Sequence, residues 1–361
     1  MPYQRLARRL ADDPAPTVST LPDGSVDRYC RLSAGALDPI ERRQTFVRET
    51  ERGGRKGFGL DPEFVEPGGQ AVNTAQQAHA LGADATCYGH LDDPEPGRDA
   101  FADLPFDTVS MGRAAIVNVL DFADEDLMLV EASPDIPEWE LADLREAAPL
   151  PVVFGADSEG RSPSSDRASP GHAVACANWV STPGMADAFH ELGEASLPRV
   201  PFVFDPGDVL GSDPEAHREL REAVRALGDS VDIALSVNRT ELKAITAALP
   251  DPPAPPVDDE DRVIAIREGT DAAAVVKHGK EEALAATEEG IVRVDNPVVE
   301  DRRQIGGGDR FAGGLAVGLG ADWEWPVALA CGNACASHYV ATGETASATV
   351  LREWLVENGI A

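Results

Sequence analysis

The run Ile305-Gly306-Gly307-Gly308-Asp309-Arg310-Phe311-Ala312-Gly313-Gly314-Leu315-Ala316-Val317-Gly318-Leu319 constrains this chain more than any other stretch. Three consecutive glycines let the backbone curl and turn its N–H groups inward, and the apolar residues from Phe311 onward predict a buried helix starting there. Such a turn suits an anion. Asp309 would repel a phosphate, but it suits the removal of a proton from a hydroxyl that attacks one. Two other phosphate-binding patterns are excluded. No Gly-Lys-Ser/Thr follows the glycines, and Phe311 stands where the last glycine of Gly-x-Gly-x-x-Gly belongs. A plain turn with an aspartate favoured by the helix dipole is the competing reading, so the rest of the chain must decide.

That rest is 361 residues long, enough for a full core. The formal charge of −32 argues against nucleic-acid or anionic-membrane partners, which need basic patches. Acidic residues are spread along the chain and lysine is confined to Lys56, Lys243, Lys277 and Lys280, a pattern resembling halophilic proteins, whose self-repulsion is screened by salt. Cys30, Cys87, Cys176, Cys331 and Cys335 show no Cys-x-x-Cys spacing and read as buried thiols. The first residues, Met1 to Pro16, lack an apolar signal core, and no apolar run reaches membrane-spanning length, so a soluble cytoplasmic protein is expected.

Along the chain, Thr17 to Leu21 reads as a buried strand broken by Pro22-Asp23-Gly24, and Ser25-Val26-Asp27 opens the next, placing Asp27 at a strand edge. Arg28 to Val65 is mixed, with β-prone residues at Thr45-Phe46-Val47 and a hairpin tip at Gly53 to Gly57. Pro67-Gly68-Gly69 then makes a turn into a helix whose Ala71, Ala75, Ala78 and Leu81 share a face and whose stop is Gly82. Asn73, in the first turn, can donate to and accept from a sugar hydroxyl. Ala115 to Leu120 and Leu127 to Val130 form a hairpin pattern. Pro151 to Phe154 reads as a buried strand, and 157–170 as a mobile surface insertion. Short strands at Val174 to Trp179, Pro201 to Pro206 and Ile233 to Val237 alternate with helices, as in a parallel α/β sheet. Asn178 and Asp205 then fall at strand ends facing a ligand crevice, while Asn238 either lines it or only caps the next helix.

Four stretches, in order, resemble the ribokinase-like, PfkB-type carbohydrate kinases: Gly68-Gly69-Gln70-Ala71-Val72-Asn73, Asn238-Arg239-Thr240-Glu241, Arg303 to Asp309, and the late pair Asn333-Ala334. The resemblance implies one α/β domain over 1–361, a central mostly parallel sheet flanked by helices, with a small β lid at about 28–66 and 112–131. It implies ATP-dependent transfer of a phosphoryl group to a sugar or sugar acid. Asp309 is then the base and Gly306, Gly307 and Gly308 the anion hole. Asp27, Gly68, Gly69 and Asn73 bind the sugar. Asn238, Glu241, Lys277, Gly279 and Asn333 bind the nucleotide, and Glu241 holds Mg2+ through water. A homodimer through the lid is the expected assembly. Nucleoside or ADP-dependent kinases of the same fold, and a non-catalytic binding protein, are the alternatives. Arg303 and Gln304 depart from the family's Asp-Thr, in a region where many members hold potassium. A monovalent cation is therefore left open, and Arg303 either replaces it or pairs with a surface carboxylate.

Overall fold

The structure is a computed structural model and describes residues 1–361 except 13–14, 36–37, 52–56, 96–98, 121, 125, 157–170, 301 and 304. The strands are β1 (Thr17–Leu21), β2 (Ser25–Ser33), β3 (Gly59–Gly68), β4 (Asp84–Gly89), β5 (Asp107–Ser110), β6 (Ala115–Leu120) and β7 (Leu127–Glu131). They continue with β8 (His172–Ala177), β9 (Pro201–Asp205), β10 (Asp232–Asn238), β11 (Ala274–His278), β12 (Glu282–Thr287) and β13 (Gly290–Asp295).

Nine of them form one sheet in the order β13-β12-β11-β10-β9-β8-β1-β4-β5. From β5 to β11 every pairing is parallel, and β12 and β13 add an antiparallel edge. A parallel sheet is buried on both faces, which is why β8 to β11 read as nearly unbroken apolar runs. One face packs Phe154, Phe189, Phe202, Phe204 and Leu227 beneath helices that include Met185–Gly193 and Pro214–Gly228. The other packs Leu6, Phe311, Leu315, Leu329 and Leu355 beneath the helices Gly307–Gly320, Trp325–Thr342 and Ala348–Glu357.

The remaining strands make a second sheet, β3-β2-β6-β7. Its register aligns Asp27 with Glu66 and Val117, and Tyr29 with Phe64 and Val119, so these side chains share one face.

Two expected strands are helices. Thr45-Phe46-Val47 lies in Arg43–Glu51, whose exposed first N–H groups are capped from outside the helix: Arg43 N donates to Asp124 Oδ1 at 2.7 Å. Phe46 packs edge-on against Phe58, ring centroids 5.2 Å apart, and this tertiary contact outweighs strand propensity. Pro151 to Val153 lies in the short helix Leu150–Val153. Proline is at home in a first helical turn and would remove a ladder hydrogen bond from a central strand. Of the expected hairpin tip, 53–56 lie outside the described residues, as does 157–170.

Candidate active site

Because β1, β8, β9, β10 and β11 run parallel side by side, their C-terminal ends lie along one edge of the sheet. That edge carries Asp23, Asn178, Asp205, Asn238 and His278. The crevice of an open α/β sheet lies there.

Asp23 was not singled out by the sequence reading, which favoured Asp27. Its carboxylate is buried and accepts from the backbone N–H of Gln70 (3.0 Å) and Ala71 (2.8 Å), the first residues of the helix Gln70–Ala80. It thus fixes the turn Gly68-Gly69. Gly69 has φ +100, and a Cβ there would meet the backbone of Gly24 at 2.7 Å, so only glycine fits. A Cβ on Gly68 would strike the Asp27 carboxylate at 2.2 Å. Asp27 accepts from Ser25 Oγ at 2.5 Å, and burial, against that hydrogen bond and with Glu66 nearby, pushes it up to about 6.

Gly306 (φ +87) caps the helix Gly307–Gly320, and Asp309 sits in its first turn. Asn73 Nδ2 donates to Asp309 Oδ2 at 2.8 Å, bringing the two glycine-rich turns together although they are 236 residues apart. Burial raises Asp309 to about 6, opposed by the Arg310 charge and by the Asn73 hydrogen bond. Arg310 is only 4% exposed, donates to Thr345 Oγ1 (2.9 Å) and Gln76 Oε1 (3.0 Å), and lies 4.5 Å over the Tyr339 ring. A Cβ on Gly306 would meet that same ring at 3.3 Å. A permanent cation therefore stands behind the glycine turn.

On one side of Asp309 is a crevice lined by Gln70, Ala71, Thr74, Asp205 and Ala312. Gly307 and Phe311, on the same helix as Asp309, line a cavity of about 940 Å³, whose wall also includes Asn238, His278, Gly279 and Asn333. Asn238 caps the helix Arg239–Ala247: its Oδ1 accepts from Thr240 N (2.8 Å) and Glu241 N (3.0 Å), while Glu241 Oε2 accepts from Asn238 N (2.8 Å). Capping and cavity lining coincide. Asn333 is a buried strut whose Nδ2 donates to Val294 O at 3.0 Å.

One expectation is corrected. Lys277 does not face the cavity, because side chains alternate along β11 and His278 takes that side. Its ammonium is held by Glu282 at 3.2 Å, with Asp259 at 3.9 Å. Arg303, for which two readings were open, donates to Glu66 Oε1 at 2.6 Å and to the Tyr29 hydroxyl, both on the small sheet. Its guanidinium also stacks over Tyr29 (4.9 Å) and Tyr339 (5.4 Å). Gln304 lies outside the described residues. His278 and Arg310 went unnoticed in the sequence; period-2 counting from Val275 would have put His278 opposite Lys277.

Burial raises both Asp205 and Glu241, and the Glu241 charge raises Asp205 further. Buried carboxylates that repel one another are a donor set suited to a hard divalent cation. Among the described residues no three His, Cys, Asp or Glu side chains stand close enough to hold a metal alone, so phosphate oxygens and water would complete the shell.

The sequence profile of the prokaryotic ketohexokinase family matches residues 58–358. A ketohexokinase from Haloferax volcanii is 27% identical over 357 aligned residues, covering 91% of this chain and 88% of its own. The fold is similar to that of a Thermotoga maritima ribokinase (13% identity, TM-score 0.65, covering 94% of this chain and 99% of that one). It is likewise similar to that of phosphofructokinase-2 from Escherichia coli solved in complex with potassium (14% identity, TM-score 0.63, 96% and 99% covered). The chain therefore belongs to the prokaryotic ketohexokinase family, a carbohydrate kinase of ribokinase-like fold.

Proposed function

We propose that this protein transfers the γ-phosphate of ATP to a hydroxyl of a ketohexose, with Asp309 as base and the N–H groups of Gly306 to Gly308 as anion hole. The observation that carries this reading is Asp309 itself, tied to Asn73 at 2.8 Å in the crevice, on the helix whose Gly307 and Phe311 line the large cavity. Asp27, Gly68, Gly69 and Asn73 hold the sugar. The crevice has only about 10 Å³ of free volume, so the sugar sits at its mouth against the Asp27 face of the small sheet. Asp309 takes the hydroxyl proton as the sugar oxygen bonds to the γ-phosphorus. The bond from that phosphorus to the bridging oxygen breaks and ADP leaves. Glu241, with Asp205 beside it, would hold magnesium, which when bound offsets phosphate charge. The small sheet acts as a lid that excludes water as a competing acceptor.

The test is a phosphorylation screen in molar KCl over ketohexoses, pentoses, sugar acids and nucleosides, with ATP or ADP as donor. ATP-dependent turnover of a ketohexose above the others is expected. Preference for a nucleoside, or for ADP, overturns the reading.

The same lid face leaves Phe64, Met128 and Val130 half exposed in register with Asp27 and Tyr29. We infer that a second copy covers it, giving a homodimer through the lids. Sedimentation in molar KCl should return twice the chain mass, and Val130→Glu should return one; a monomeric wild type at micromolar concentration overturns this. All five cysteines are buried free thiols, which fits a cytoplasmic protein. Among the described residues no helix is long and apolar enough to cross a membrane.

A further inference from the structure

One buried polar group has no part in that chemistry. His278, the last residue of β11, lines the large cavity beside Gly307 and Phe311. Its ring stacks on Phe311 with centroids 5.1 Å apart, and its Cε1 lies 3.5 Å from where a Cβ of Gly308 would be. The imidazole is therefore packed against the anion-hole turn. Its Nε2 is buried and has no hydrogen-bond partner among the described residues. Asp205 Oδ2 stands 4.0 Å from it, beyond hydrogen-bond reach, and Asp205 lines the crevice together with Asp309. The nitrogen thus sits where the nucleotide cavity meets the acceptor crevice.

We propose that His278 is a catalytic residue whose Nε2–H donates a hydrogen bond to a non-bridging oxygen of the phosphoryl group as it crosses from nucleotide to sugar. The inference rests on the phosphotransferase reading of the site. A buried donor left without a partner is costly, and a passing phosphoryl oxygen is the partner that would satisfy it. A neutral imidazole carries one N–H, and with that proton on Nε2 it offers a donor there and no net charge. It then donates without exchanging a proton, which leaves the base role to Asp309. The stack on Phe311 holds the ring, so the donor is aimed before substrate arrives.

The test compares wild type, His278→Phe and His278→Gln on whichever acceptor the wild type phosphorylates. Phenylalanine keeps the stack on Phe311 and removes the donor. kcat should fall ~10²-fold, the cost of one oxyanion-hole donor, with KM for ATP little changed and the melting temperature kept. Glutamine, whose amide N–H reaches toward the same point, should recover part of the loss. In wild type carrying 15N-histidine, addition of Mg2+, ADP and aluminium fluoride should move the His278 Nε2 resonance downfield, the peak being assigned by its absence from the Gln variant. A Phe variant within about twofold of wild-type kcat overturns the proposal. So does a loss confined to KM for ATP, or a Nε2 resonance that the fluoride complex leaves in place. A wild type that prefers a nucleoside sinks the ketohexose reading alone, since the variant ratio is then read on that acceptor. If the wild type phosphorylates nothing, the resonance decides.

Discussion

Asp309 works against its own burial. The surroundings that exclude water raise it to about 6, while Arg310 and the Asn73 amide favour the charged form. Only the carboxylate can accept the hydroxyl proton, so kcat/KM is expected to fall as pH drops through about 6 and to level off above about 7. A profile flat down to pH 5 would show that another group is the base. Asp309→Asn keeps the shape of the turn and cannot take a proton; turnover should fall ~10²-fold or more while ATP affinity, read by calorimetry, stays near wild type. Near-normal turnover in that variant would remove Asp309 from the mechanism. The residues that proved hardest to read from sequence are those whose meaning is long-range. Asp309 announced itself through three adjacent glycines. Asp23 looked like a turn residue, because the helix it caps begins 47 positions later, and Arg310 drew no notice, because Tyr339 and Thr345 bury it from another helix and its following loop.

Local signals were strongest where an element closes on itself. The helix Gln70–Ala80 and its stop at Gly82 (φ +97) follow from neighbouring residues alone. Arg43–Glu51 does not, since Asp124 and Phe58 supply its cap and its packing. The segment before the glycine turn is a mixed case. Its backbone is tied down, Arg302 N and Arg303 N both donating to Val340 O, and the Arg303 side chain reaches across to Glu66 and Tyr29 of the small sheet. With Arg310 also over Tyr339, two permanent cations share the ring that supports Gly306. Fixed guanidinium charge there should make a bound monovalent cation dispensable. At constant high ionic strength, exchanging KCl for NaCl is expected to leave the rate within about twofold. Strong activation specific to potassium would mean that a cation site exists elsewhere and that the arginines only brace the lid.

Charge dominates the behaviour of the folded chain in solution. Net −32 on a chain with four lysines leaves carboxylates to repel one another, and the ion pairs that relieve them are mostly exposed, such as Arg218 with Glu222 (2.8 Å) and Arg225 with Asp271 (2.7 Å). Pairs of that kind contribute little each. At 0.01 M salt the Debye length is ~30 Å, so repulsion acts across the molecule, whereas at molar salt it is ~3 Å and only neighbours interact. The melting temperature should therefore fall steeply between molar and millimolar KCl. The acidic site acts in the same direction through pH. Asp27 and Asp309 have folded pKa values raised to about 6, above those of unfolded carboxyls. Each thus contributes stability that is fully present below pH ~4 and lost as pH rises through about 6. Without magnesium, low-salt stability should therefore be greater at pH 5 than at pH 8. Molar KCl should narrow only the surface part of that difference, because buried charges are screened less. Melting curves at the two pH values and two salt concentrations separate the effects. A melting temperature indifferent to salt would remove the halophilic reading, and one higher at pH 8 than at pH 5 in low salt would show that the buried carboxylates are already paired with a cation.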